Sequence, residues 1–153
     1  MPNTEKPPVL LVDDNEATRT LMIALLHREF QVEIATDGIE AIEKLRTNQY
    51  ASVLLDLRMP QRDGFGVLEF MQANSPERLR TVLVVTAVLT RNEIQRAKGF
   101  GICGIITKPF DVDDFLNAVK DCVGDRGGKL GNVFCTSTPM ILLIADLLRQ
   151  RLS

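Results

Sequence analysis

The sequence predicts an α/β fold: a five-stranded, doubly wound parallel sheet with helices on both faces, followed by an extra C-terminal helix. Three observations carry that prediction. Short apolar runs bounded by turn residues alternate with longer segments of helical period, the pattern of successive βα units. Several of the runs are apolar on consecutive residues, as strands covered by helices on both faces must be. The composition, 45% hydrophobic and 25% charged over 153 residues, is that of one globular domain with an appendage, and it excludes collagen-like, low-complexity and wholly disordered chains.

The strand runs are Val9-Leu10-Leu11-Val12, Val32-Glu33-Ile34-Ala35, Ser52-Val53-Leu54-Leu55, Val82-Leu83-Val84-Val85 and Ile102 to Ile106. The first, third and fourth are unbroken apolar runs and belong inside the sheet, whereas Gln31-Val32-Glu33-Ile34 alternates, which places the second strand outermost. Asn15 supplies an N-cap ahead of an apolar stripe at Leu21, Ile23, Ala24, Leu25 and Leu26, and Ile39, Ala41, Ile42 and Leu45 form a second stripe. The third helix, around Val67 to Met71, reads as short. Thr90-Arg91-Asn92-Glu93 has capping-box spacing before Ile94 and Ala97, with Gly99 as the stop. Asp111-Val112-Asp113-Asp114 starts a fifth helix through Phe115, Leu116, Val119 and Val123, its acidic residues set against the positive end of the helix dipole. Residues 1–123 thus form one domain. Residues 124–138 read as a flexible linker, and Thr138-Pro139 opens an apolar helix over 139–153.

The formal net charge is −2, from 18 basic and 20 acidic residues, which argues against a general electrostatic grip on nucleic acid or anionic membrane. The polar, proline-rich stretch Met1 to Pro8 lacks the apolar core of a secretory signal. The most apolar stretch, Met140 to Ala145, is interrupted by Asp146 and falls far short of the ~20 residues that a membrane span requires. A cytoplasmic protein is expected. Cys103, Cys122 and Cys135 are odd in number and lack metal-ligand spacing, so they read as buried hydrophobes in a reducing compartment and not as a disulfide framework. His27, the one histidine, reads as a surface residue late in the first helix. Met59, Phe65 and Met71 read as packing near the third helix, and Arg46, Arg58 and Arg62 as solvated.

Ligands of a doubly wound sheet bind in the crevice outside the carboxyl ends of the strands. The residues at those ends are Asp13 and Asp14 after the first, Asp56 after the third, Thr86 after the fourth and Lys108 after the fifth. In a flavodoxin-like strand order, 2-1-3-4-5, the first and third strands are neighbours at the switch point, and three carboxylates converge. Like charges at such range raise one another's pKa unless a cation intervenes, and oxygen ligands of this kind suit Mg²⁺. With the Lys108 ammonium, the metal would neutralise a transferring phosphoryl group, and Asp56 is the candidate nucleophile for an aspartyl phosphate. A Thr86 hydroxyl can donate to a phosphoryl oxygen and so sense its arrival.

The blocks Leu10-Leu11-Val12-Asp13-Asp14-Asn15, Leu55-Asp56-Leu57-Arg58-Met59-Pro60-Gln61-Arg62-Asp63-Gly64, Val84-Val85-Thr86-Ala87 and Thr107-Lys108-Pro109-Phe110 resemble the four signature blocks of response-regulator receiver domains of two-component systems. The resemblance spans roughly residues 8–123. It implies phosphoryl transfer from a histidine kinase phosphohistidine, or from a phosphotransfer protein, to Asp56. It also implies Mg²⁺ held by Asp13, Asp14, Asp56 and the backbone carbonyl of Arg58. Lys108 would contact the phosphoryl group and precede a cis peptide at Pro109. Thr86 would move toward the phosphate, with the small Ala87 leaving it room. On this reading the chain is a regulator that catalyses its own phosphorylation and slow dephosphorylation, not an enzyme with a separate substrate.

Two departures follow. The aromatic switch residue usual three positions before the lysine is replaced by Ile105, so readout by a moving ring is not expected. Arg58 and Val88, two residues after Asp56 and Thr86, flank the mouth where a hydrolytic water would approach, and neither is a general base, so a slowly lost phosphate is expected. Rival readings are a phosphate-independent interaction module of the same fold, an aspartate-nucleophile phosphatase and a flavin-binding protein. The phosphatase class needs an acidic residue where Arg58 stands, and Asp13-Asp14-Asn15-Glu16 would repel a flavin phosphate. The apolar C-terminal helix would pack back on the receiver, or support a homodimer, as the fourth and fifth units also could, or else open a further output domain. No DNA-binding element is visible.

Overall fold

The computed structural model describes residues 6–59, 63–87 and 89–124. Its chain order is β1 (Pro8–Val12), α1 (Glu16–Leu26), β2 (Gln31–Ala35), α2 (Gly38–Thr47), β3 (Ser52–Leu55), α3 (Gly64–Asn74), a 3-10 turn (Pro76–Thr81), β4 (Val82–Thr86), α4 (Arg91–Gly99), β5 (Gly104–Thr107) and α5 (Val112–Gly124). All strand pairs are parallel, in the order β2-β1-β3-β4-β5. The second strand is therefore an edge, as its alternating sequence predicts, and β1, β3 and β4 are inside. The linker and apolar helix expected over 124–153 lie almost wholly outside the described residues, as do Pro60, Gln61, Arg62, Val88 and Cys135.

Consecutive apolar residues in the inner strands feed two separate cores, because neighbouring side chains leave a strand on opposite faces. Leu10, Val12, Val53, Leu55, Val82 and Val84 pack under α2, α3 and α4, with Met59, Phe65 and Met71 in the same cluster. Val9, Leu11, Leu54, Leu83, Val85 and Ile106 pack on the other face against Met22 and Leu26 of α1 and Phe115, Val119 and Cys122 of α5. Burial of this kind contributes about 25 cal/mol per Å² of apolar surface, so the two faces together supply the main stabilisation of the sheet.

Helix starts follow the sequence closely. Asn15 accepts from the Thr18 N–H, Asp37 from Glu40, Asp63 from Gly66, and Asp111 from Asp113 and Asp114. Thr90 and Glu93 form the full reciprocal capping box. His27 is the exposed C-cap of α1. Gly101, beyond the α4 stop, has φ +80, a conformation that a Cβ would strain.

Three expectations need correction. The third helix is not short: α3 has 11 residues, as many as α1, because it starts at Gly64, with a buried first turn capped by Asp63. The fifth strand begins at Gly104, after Ile102 and Cys103. Cys103 and Cys122 are not separate buried thiols. They are joined as a disulfide with Cα atoms 5.9 Å apart, since the β5–α5 crossover folds the end of α5 back over the start of β5. Arg58 and Arg46 are exposed, as expected, and each also has a partner: Arg58 pairs with Glu93 and Arg46 lies over the Phe70 ring.

Candidate functional site

The residues at the carboxyl ends of the strands are fixed by backbone bonds that run one residue past each strand. Asp13 N donates to Ala35 O (3.1 Å), Asp56 N to Val12 O (2.9 Å) and Lys108 N to Thr86 O (2.7 Å). The register places Val12 beside Leu55 and Thr86 beside Thr107, so Asp13 and Asp56 follow neighbouring positions, and Lys108 arrives next to Thr86. The Lys108–Pro109 bond is cis.

The side chains converge. Carboxylate oxygens of Asp13, Asp14 and Asp56 all lie within 4.8 Å of one another, a grouping that could hold a metal ion. Asp13 and Asp56 are buried and Asp14 is exposed at the mouth, which suits a cation held partly by water. Lys108 Nζ lies 2.6 Å from Asp13 Oδ2 and 3.3 Å from Asp56 Oδ2. Asp56 Oδ1 accepts from Thr86 Oγ1 and from the Arg58 N–H, each at 2.9 Å. Asp13 Oδ1 accepts from the Asn15 N–H at 2.8 Å.

Burial pushes the Asp56 carboxyl above the usual carboxylate range. The Arg58 N–H, the Lys108 ammonium and the Thr86 hydroxyl pull it down, and the Asp13 charge adds to the rise. Three carboxylates against one ammonium leave the crevice anionic, and oxygen donors in this number fit a hard divalent cation.

Of the remaining candidates, Ala87 is exposed immediately after Thr86, and Ile105 is buried in β5, in the cluster shared with Ala97 of α4. Val88 lies outside the described residues. Arg58 carries a second feature that the sequence did not signal. Its guanidinium Nη2 reaches both Glu93 carboxylate oxygens, at 3.0 and 3.1 Å, joining the loop after β3 to the first turn of α4. The Thr90 cap and then Arg58 hold the Glu93 carboxyl below its ordinary range. A groove of about 340 Å³, lined by Leu57, Arg58, Met59, Asp63, Phe65 and Glu93, runs beneath this pair. The sequence marked Glu93 as a cap, and nothing in it announced a partner 35 residues away.

Comparison with known proteins agrees with this geometry. Residues 9–120 match the family model of the response regulator receiver domain. The chain is 33% identical over 113 residues to sporulation initiation phosphotransferase F of Bacillus subtilis, covering 73% of this chain and 90% of that protein. Its fold is similar to that of the non-phosphorylated HemR receiver domain of Leptospira biflexa, at 32% identity and TM-score 0.70, covering 78% of this chain and 95% of that one. It is also similar to the receiver domain of a Pseudomonas aeruginosa sensor histidine kinase, solved with a magnesium ion coordinated in the active site cleft. That match has 25% identity and TM-score 0.69 and covers 77% of this chain and 98% of that one. Among the described residues no helix is long and apolar enough to cross a membrane. With the strand order, the acidic crevice and the family match in agreement, the chain belongs to the response regulator receiver domain family.

Proposed function

We propose that this receiver domain is a phosphorylation-dependent signalling switch whose acceptor is Asp56. The observation that carries the reading is the convergence of Asp13, Asp14, Thr86 and Lys108 on one buried carboxylate at the end of β3. Asp56 Oδ1 is held by two hydrogen bonds at 2.9 Å, whereas Oδ2 has the longer 3.3 Å contact with Lys108 and is the attacking oxygen. Oδ2 forms a bond to the phosphorus of a histidine kinase or phosphotransfer-protein phosphohistidine. The N–P bond breaks, and its electron pair returns to the imidazole nitrogen, which takes up a proton.

Asp13, Asp14, Asp56 and the Arg58 carbonyl would hold Mg²⁺, which supplies charge neutralisation at the phosphoryl oxygens. Lys108 offsets the remaining negative charge, and Thr86 exchanges its bond to the carboxylate for one to a phosphoryl oxygen. The chain is thus a phosphoacceptor that promotes its own modification, in a cytoplasmic setting, and not a turnover enzyme.

Intact mass after incubation with Mg²⁺ and acetyl phosphate tests this, beside Asp56→Asn and a chelator control. One added phosphoryl group that requires both Mg²⁺ and Asp56 is the expected result. No addition under any condition would favour the phosphate-independent interaction module.

A further inference from the structure

The Cys103–Cys122 bond has no part in the chemistry at Asp56. Cys103 immediately precedes β5, at the end of the strand opposite Lys108, so roughly five residues at ~3.3 Å each separate it from the acidic crevice. Cys122 is 2% exposed and is the last fully buried residue of α5, packed in the core that also holds Phe30, Leu26 and Val119. The bond therefore fastens the final turn of α5 to the start of β5.

The fold does not need this staple. Disulfides are required where a small domain cannot build an adequate core, and this sheet has an apolar core on each face. In the dithiol form the two sulfurs must separate to van der Waals contact, but each uncharged cysteine still packs as a small hydrophobe. Beyond the buried Ala118 and Val119, the end of α5 is held by Cys122, the partly buried Val123 and an exposed Lys120–Glu29 ion pair at 3.3 Å, a contact of little stabilising value in water. Breaking the disulfide thus loosens one helix end without dismantling the sheet.

Access is unequal. The Cys103 side chain is half-buried and the Cys122 sulfur is enclosed, so an incoming thiolate can reach only one side of the bond.

We propose that Cys103 and Cys122 form a reversible dithiol–disulfide site, exchanged by small thiols and disulfides of the glutathione class, that sets how firmly the C-terminal end of α5 is held to the sheet. In the reducing direction a thiolate attacks the Cys103 sulfur, the S–S bond breaks, and Cys122 leaves as a thiolate and is protonated. A second thiol then resolves the mixed disulfide. The net change converts one protein disulfide and two small thiols into two cysteine thiols and one small disulfide. The sequence continues from α5 to Ser153, so this hold acts at the end of the last described helix.

The test uses the full chain, unmutated, equilibrated in reduced and oxidised glutathione, quenched with iodoacetamide and peptide-mapped, with hydrogen exchange measured in parallel. After native equilibration and a quench with iodoacetamide in denaturant, Cys103 and Cys122 should both be alkylated from the reducing buffer and should appear as one cross-linked peptide from the oxidising buffer. Amides of residues 119–124 should exchange about tenfold faster when reduced, while β1 and β3 amides stay unchanged. A Cys103→Ser chain should match the reduced protein in both buffers. Alkylation of both residues in the oxidising buffer would overturn the proposal. So would a bond that yields to glutathione only in denaturant, because it would then be a structural staple. Equal α5 exchange in the two redox states would overturn the claim that the bond controls the helix end.

Discussion

Gly64 is the position where a single methyl group should do the most damage to both fold and site. It opens α3 beside the acceptor loop, and its N–H donates to Leu57 O at 3.2 Å. A Cβ added there would sit 2.5 Å from the carbonyl oxygen of Asp56, 2.6 Å from Leu57 Cα and 2.9 Å from Leu57 Cδ2. The first two are backbone atoms, so no side-chain rotation relieves them, and contact distances fall roughly 0.9 Å short of ordinary packing. Overpacking of this order costs about 1–3 kcal/mol, and the higher helix propensity of alanine returns at most about 1 kcal/mol. Gly64→Ala should therefore lose about 2 kcal/mol, a fall in Tm of roughly 8 °C or more for a domain of this size. Because the displaced atoms belong to Asp56 and Leu57, phosphorylation by acetyl phosphate should slow even below the melting transition. Urea melts and the intact-mass assay read the two effects separately. Gly99→Ala is the control: a Cβ there meets nothing within 4 Å, and the change should be neutral or stabilising by about 0.5–1 kcal/mol. Equal stability of Gly64→Ala and the parent would refute the claim that α3 is docked on the acceptor backbone.

Three further outcomes follow from the crevice. Lys108→Met removes the cation from two buried carboxylates and should destabilise the metal-free protein by about 3 kcal/mol at neutral pH, with Mg²⁺ recovering part of the loss in urea melts. Burial raises the Asp56 pKa above its unfolded value, so the folded state holds this proton more tightly and the group's contribution to stability grows as pH falls through the folded pKa. Metal-free Asp56→Asn should then be more stable than the parent at neutral pH, with the gap closing on acidification toward about pH 4, and a gap that widened in acid would contradict this. Glu93→Gln keeps an N3 acceptor for the capping box but deletes the charge that Arg58 faces, so phosphorylation by a small anionic donor should speed up at low salt and return to the parent rate at high salt. Identical rates at both salt concentrations would mean that the pair has no influence on the site.

What the sequence made legible depends on range. The inner strands announce themselves because Leu10-Leu11-Val12, Val53-Leu54-Leu55 and Val82 to Val85 must bury every side chain, and the caps Asn15, Thr90 and Asp111 act within three residues of themselves. The acidic crevice was legible one step further out, because doubly wound topology brings the ends of β1, β3 and β5 together whatever lies between them. Gly64 illustrates the limit: only the approach of Asp56 O, a tertiary contact, explains why no side chain fits. The sequence starts that helix only around Val67 and does not announce the 3-10 turn Pro76–Thr81. The Cys103–Cys122 bond and the Arg58–Glu93 pair span 19 and 35 residues with no periodic or spacing signature, and each depends on how one helix end lies against the sheet.

The lack of an aromatic at Ile105 narrows how a signal can leave Asp56. Ile105 is buried beside Val84 and shares a core with Ala97 of α4, so it offers no side chain that swings between solvent and interior. Three other connections leave the acceptor carboxylate, and the Lys108 ammonium, which ties it to Asp13, stays within the crevice. Thr86 is buried at the end of β4 and can only trade one acceptor oxygen for another. Arg58 holds the same carboxylate through its N–H, while its guanidinium clasps Glu93 in the first turn of α4. On the proposed reading, a phosphoryl dianion at Asp56 would compete with Glu93 for that guanidinium. Charge-assisted bonds favour the more highly charged partner, so α4 would feel phosphorylation as the loss of a tether at its N-terminus. On that reading the route from acceptor to helix would run through electrostatic competition on the surface, which salt can weaken, and not through a ring turning inside the core.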